Sequence, residues 1–230
     1  GESIYTDRYG RIKVKFHWDR ESAGDETSSC WVRVSSAWAG QGYGGVQIPR
    51  VNDEVVIDFI NGDPDRPIVT GRVYNEASMP PWPLPAAATQ MGFLSRSKDG
   101  TPDNANALRF EDRAGEEQVW IHAERNMDTE VENDETHLVG NNRSKTIVGN
   151  ETTQVKKNRT ETVDQNETIT IHQNRSETVD GNETITVHSN RTETVDKNEN
   201  IRIGQNQSVT VNGNQTLKVD QAKSETITLA

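Results

Sequence analysis

Of 230 residues only 31% are hydrophobic and 6% aromatic, and the formal net charge is -11, a balance that argues against one compact globule with an ordinary core. The charge is spread as -5 through residue 120 and -6 beyond it, so neither half offers the clustered Lys and Arg that phosphate-rich partners require. Nucleic acid and anionic membrane surfaces are thereby poor partners, and the chain has neither an 18-residue apolar stretch nor a charged and apolar leader pattern.

The first half reads as a small β-barrel. Ile12, Val14 and Phe16 alternate with Arg11, Lys13 and Lys15, the period of a strand with one buried and one wet face. Cys30, Val32 and Val34 alternate in the same way with Trp31 and Arg33. A Gly-rich loop, Gly40 to Gly45, separates that run from a short one at Val46 to Ile48, and Glu54 to Ile60 supplies another. Turn formers then crowd together in Asn61-Gly62-Asp63-Pro64-Asp65-Arg66-Pro67 before a run from Ile68 to Tyr74. Five short strands in so few residues predict an OB-like barrel over 1–78, with a small sandwich as the alternative. The proline-dense segment Met79-Pro80-Pro81-Trp82-Pro83-Leu84-Pro85 predicts an extended, stiff connector, assigned to 79–104.

The second half, 105–230, changes character. The last aromatic is Trp120 and the last proline Pro102, and from Asn142 to Asn214 an asparagine recurs every eight residues without a break. Five residues after each stands Val or Ile, and this phase runs through Val131, Val139, Ile147, Val155, Val163, Ile171, Val179, Val187, Val195, Ile203, Val211, Val219 and Ile227. Thr and Ser fill the intervening positions, a β-branched texture broken by Asn and Gly at the corners. An eight-residue unit supplies one short strand and one kink, which is the unit of a β-helix or β-prism.

Each octad gives an interior its Val or Ile and, in alternate octads, a second apolar residue such as Ile169, Ile185 or Ile201. That is thin for one chain, whereas three chains wound about one axis pool their valines and pair their strand edges with each other. The reading is a homotrimer with those thirteen residues as its core, and thirteen levels at sheet spacing give a shaft of roughly 60 Å. The residue after each Asn runs Arg143, Glu151, Arg159, Glu167, Arg175, Glu183, Arg191, Glu199, an alternation that pairs opposite charges between chains in one register; the plainer alternative is a solvated polar face.

The stretches Asp7 to Val14, Phe16 to Asp19, Ser29 to Val34, Ile48 to Arg50, Gly62 to Pro67, Gly71 to Asn75 and Arg109 to Asp112 resemble the VgrG (valine-glycine repeat) family. The resemblance covers essentially the whole chain and implies an all-β protein, an OB-fold followed by an interwound trimeric triple-stranded β-helix. It implies the puncturing spike of a bacterial type VI secretion system, similar to the needle of contractile phage tails and mounted on stacked tail tube rings through an N-terminal base. The chain starts at Gly1 and lacks that base, as expected of a C-terminal fragment. The Val-x-Gly signature is kept at Val179-Asp180-Gly181 and Val211-Asn212-Gly213, while Lys, Gln or Ser often replaces the Gly.

Further expectations follow from the resemblance: assembly in the bacterial cytoplasm, secretion into the target cell with transient contact with its membrane, and a PAAR-type cap protein or effector on the tip residues Ile227, Leu229 and Ala230. Carriage of such a cargo as the dominant role is the alternative to puncturing, with a cell-wall hydrolase a remote third. Catalysis, cofactor and resident metal are not expected. His17, His122, His137, His172 and His188 form no His-Glu-x-x-His pair, and Cys30, the single cysteine, sits in a strand pattern. His172 and His188 occupy equivalent octad positions, so a metal there is the sharper reading and a solvent-facing repeat the plainer one. Nine Asn-x-Ser/Thr sequons between Asn142 and Thr216 follow from the octad itself.

Overall fold

The computed structural model describes residues 2–227, and the chain divides into two compact units, 1–144 and 145–230. Among the described residues the regular structure is strand, apart from one 3-10 turn at Ile60–Gly62. Among the described residues no helix is long and apolar enough to cross a membrane.

The first unit holds two three-stranded sheets. In the first sheet, β1 (Arg33–Val34) pairs in parallel with β3 (Pro67–Arg72), which pairs antiparallel with β2 (Val55–Phe59). The turn-rich motif between β2 and β3 does what its composition predicts. Asn61 and Gly62 both take positive φ, Asp63 N–H donates to the Ile60 carbonyl at 3.2 Å, and Ile60 N–H to that of Arg66 at 3.0 Å. The core behind this sheet is Ile12, Val14, Val32 and Val69, with Phe16, Val34, Ile48, Val55 and Ile57 packed against it. The inward alternation of Ile12, Val14 and Phe16 is therefore kept.

Two of the five expected strands are not continuous ladders. Between Gly10–Phe16 and Cys30–Val34 only Ile12 and Val32 form a regular bridge, with reciprocal N–H···O bonds of 2.9 and 2.8 Å. One step further, the Val14 N–H donates to Ser29 Oγ at 3.0 Å and that hydroxyl donates to the Cys30 carbonyl at 2.7 Å. The hydroxyl thus stands where a direct backbone bond would lie, and Cys30 is turned out to solvent. Val46–Ile48 is likewise irregular: Ile48 packs on the core while Val46 is exposed, and the Arg72 guanidinium takes the Gln47 carbonyl.

The second sheet has the order β4-β5-β6, from Gln90–Leu94, Ala107–Glu111 and Gln118–His122, all antiparallel. β4 lies inside the segment read from sequence as connector. The expected extended run ends in turns: Ala87 N–H donates to Pro83 O at 2.9 Å and Gln90 N–H to Ala87 O at 3.0 Å. Past Pro85 the Ala86-Ala87-Ala88 run has no proline and all its amides, so it can wind where the prolines cannot. At Gly92 φ is +149°, and a Cβ there would collide with the Leu108 carbonyl, so only glycine lets β4 approach β5 this closely.

Two carboxylates brace this sheet. Glu111 accepts hydrogen bonds from Thr89 Oγ1, Gln90 Nε2 and the Arg113 N–H, and the Thr89 bond leads in holding its pKa below the ordinary value. Glu124 does the same for the loop before β5, accepting from Asn104 Nδ2 at 2.6 Å and Ala105 N–H at 3.2 Å. Its pKa is lowered first by the Asn104 bond.

Candidate interchain surface of the octad repeat

His122 is the last residue with a strand partner in its own chain. From 123 to 227 the backbone forms neither a ladder nor a turn hydrogen bond within the chain among the described residues, and every residue from 124 to 227 is exposed. The strands expected in each octad are therefore not regular strands in the single chain. The physical reason is plain: an eight-residue unit that bends at the two residues before its repeating Asn has no second strand of its own chain alongside, so its N–H and C=O groups have no ladder to join. A backbone this extended, in β-branched sequence, leaves both strand edges open along its whole length.

The side chains repeat as regularly as the sequence. Val131, Val139, Ile147, Val155, Val163, Ile171, Val179, Val187, Val195, Ile203, Val211 and Val219 are all 46–54% exposed. Ile227 in the same phase is more exposed, and Leu229 and Ala230 lie outside the described residues. The second apolar positions, Ile169, Ile185, Ile201, Val209 and Leu217, are more exposed than the phase residues. The common half-exposure puts the thirteen-residue stripe, its last member apart, in one repeated local environment.

Charge is arranged within the octad as well as between octads. Arg159, Arg175 and Arg191 each pair with the glutamate two residues on, Glu161, Glu177 and Glu193, at 2.6, 2.8 and 3.0 Å. Two residues apart on an extended chain means the same face. The sequence reading anticipated partners only on other chains; the Arg-x-Glu spacing was the available signal. In three of the four octads that carry Glu in place of this Arg, the position two residues on is apolar: Glu167 precedes Ile169, Glu183 precedes Ile185 and Glu199 precedes Ile201, while Glu151 precedes Thr153. From Arg159 to Ile201 the repeat of chemistry is thus sixteen residues long, twice the repeat of shape.

Among the described residues no group of three His, Cys, Asp or Glu is placed to hold a metal. Two open hollows lie on the first unit, one lined in part by Arg50, Arg96 and Asp99 and the other by Phe16, Ser28 and Cys30. Neither lining includes a histidine.

An injector-type barrel followed by a chain built to pair with other chains is the layout of a phage-tail spike. Residues 4–74 match the family described as type VI secretion system/phage-baseplate injector OB domain. Residues 91–203 and 171–230 match the bacteriophage T4 gp5 C-terminal trimerisation domain. The chain belongs to this trimerisation-domain family, and it is similar to VgrG spike proteins. It is 62% identical over 148 residues to the type VI secretion system spike protein VgrG1b of Pseudomonas aeruginosa, a span of 64% of this chain and 20% of that protein. The spike protein VgrG1a of the same organism is 60% identical over 141 residues, 61% of this chain and 22% of its own length. The actin cross-linking toxin VgrG1 of Vibrio cholerae is 46% identical over 147 residues, 64% of this chain and 13% of its own. The chain thus spans about a fifth or less of each of these relatives.

Proposed function

We propose that this chain is a non-enzymatic, homotrimeric segment of a type VI secretion spike, with an OB collar at 1–78, a connector at 79–104 and a triple-stranded β-helical shaft at 105–230 that pierces a target membrane. The sheet β4-β5-β6 straddles the boundary between connector and shaft. One observation carries this reading: among the described residues the backbone from 123 to 227 joins no ladder or turn of its own chain, while the Val and Ile stripe from Val131 to Val219 is held at constant half-exposure. Two further copies supply the strand partners and bury the stripe, which contributes about 25 cal/mol for each Å² of apolar surface removed from water. The trimerisation-domain match supports three copies over two.

The larger assembly follows from the spike relatives. Tail tube rings meet the trimer through an N-terminal base, the spike is assembled in the bacterial cytoplasm and is secreted into the target cell, and its contact with the membrane is transient. Neither nucleic acid nor a cofactor has a role. A PAAR-type cap protein or an effector binds the tip at Ile227, Leu229 and Ala230. The test of the tip is deletion of residues 225–230, which abolishes cap or effector binding and leaves the trimer intact; undiminished binding moves that partner elsewhere. The test of the shaft is the mass of the protein in dilute solution.

A further inference from the structure

The register of the second sheet sorts its side chains onto two unlike faces. Met91 pairs with Phe110 and Phe110 with Val119; Phe93 pairs with Leu108 and Leu108 with Ile121. Side chains at directly paired positions share a face, so these six form one apolar patch, two residues deep and three strands wide. The opposite face carries Gln90, Glu111, Gln118, Arg109, Trp120 and His122. There the Arg109 guanidinium lies 5.1 Å from the Trp120 ring centre and its Nη2 donates to Gln118 Oε1 at 2.9 Å. Much of the polar face is thus engaged within the chain, although Arg109 Nε is buried without a partner. The apolar face is left open: Met91, Phe93, Val119 and Ile121 are 58–66% exposed.

Three observations say what covers it. The trimerisation-domain match begins at residue 91, inside β4, so the sheet belongs to the segment that defines that family. Intrachain pairing stops at His122, the last residue of β6, so the chains that pair from 123 onward must already be together at this sheet's edge. The repeat that follows also needs a reference point. Arg159-x-Glu161, Arg175-x-Glu177 and Arg191-x-Glu193 recur every sixteen residues, as do Ile169, Ile185 and Ile201. A chain displaced by sixteen residues would meet nearly the same side chains, and such a repeat specifies its own register weakly.

We propose that the apolar face of β4-β5-β6 is an interface between three copies of this chain and sets the register in which their octads align. This rests on the trimer reading and adds a second interface distinct from the valine stripe. The sheet sequence is not periodic, so its six apolar side chains close against their counterparts in one alignment only, and the octads are then laid down from a fixed start.

The test places a reporter away from the sheet. In a Cys30→Ser background, Val179→Cys puts one thiol per chain in the stripe, and mild oxidation links chains only where those thiols stand at one level. The parent gives a trimer with a high yield of linked dimer on denaturing gels. Phe93→Asp with Ile121→Asp lowers that yield at least tenfold. Gln118→Ser, on the opposite face of the same sheet, and Phe93→Leu with Ile121→Val, which keep the face apolar, leave it unchanged. Unchanged linkage in the Asp variant, in a protein that remains trimeric, overturns the proposal and leaves the trimer standing. A parent that is monomeric and unlinked overturns the trimer reading itself. Loss of linkage in the Gln118→Ser control equal to that in the Asp variant assigns the effect to sheet folding and overturns the interface.

Discussion

Ile147 and Val148 are adjacent in the chain and oppositely placed: Ile147 is 47% exposed and Val148 is 100% exposed. Ile147 ends the straight part of its octad and Val148 stands at the bend that follows, so one belongs to the common stripe and the other reaches into solvent. Charging them should have opposite consequences. Ile147→Asp places three carboxylates at one level of the trimer axis, where desolvation and mutual repulsion oppose ionisation. We expect a fall in thermal resistance of the assembly for Ile147→Asp and no change for Val148→Asp, measured by circular dichroism melts at matched concentration. Equal tolerance of both would mean that the stripe faces outward.

The ion pairs between Arg159 and Glu161, Arg175 and Glu177, and Arg191 and Glu193 are exposed and screened, so each contributes only ~0.2–1 kcal/mol. Glu177→Gln should leave the melting temperature nearly unchanged. Reversing all three pairs on a single chain, while keeping each pair intact, keeps their intrachain contacts. Co-expressed with the parent, such a chain should form mixed trimers less readily if Arg and Glu also face one another between chains. Statistical mixing in native mass spectrometry would limit the charge pattern to its own chain.

Ser29→Ala leaves the Val14 N–H and the Cys30 carbonyl without the hydroxyl that joins them. The expected cost is ~1–2 kcal/mol of barrel stability, read from the denaturant midpoint of Trp fluorescence. Ser29→Thr, which keeps the hydroxyl, should recover most of it.

Acid should loosen the second sheet. Glu111 and Glu124 have folded pKa values below the reference of 4.5, so their contribution is fully present above about pH 4.5 and is lost as pH falls through the lowered folded values. Amide exchange in β4 to β6 should therefore speed up below that point. Glu124→Gln should flatten that dependence while keeping a group able to accept from Asn104 and Ala105.

Much of this was legible in the sequence because the octad is a spatial rule written as a spacing. Thirteen residues in one phase were read as a trimer core, and in the single chain twelve of them share one half-exposed environment. The barrel core at Ile12, Val14, Val32 and Val69 was equally open to reading, since alternation encodes burial directly. Alternation does not reveal how a ladder is satisfied, so Ser29 was invisible: its role depends on a residue fifteen positions earlier. The second sheet was hidden for a different reason. Met91-Gly92-Phe93, Leu108-Arg109-Phe110 and Val119-Trp120-Ile121 are each three residues of alternation, too short to stand out beside a proline-dense run and a long repeat. Their meaning appears only when pairing puts the three runs side by side. The Arg-x-Glu pairs lay in plain view, but attention to spacing between octads obscured spacing within one.

The central claim is that the repeat is completed by two more copies of the same chain. Equilibrium sedimentation of the protein in dilute solution, with its β-sheet signal monitored by circular dichroism, tests it most directly. The account predicts three times the 25.7 kDa chain mass, unchanged on dilution. A stable particle of one chain mass retaining that β-sheet signal would contradict it.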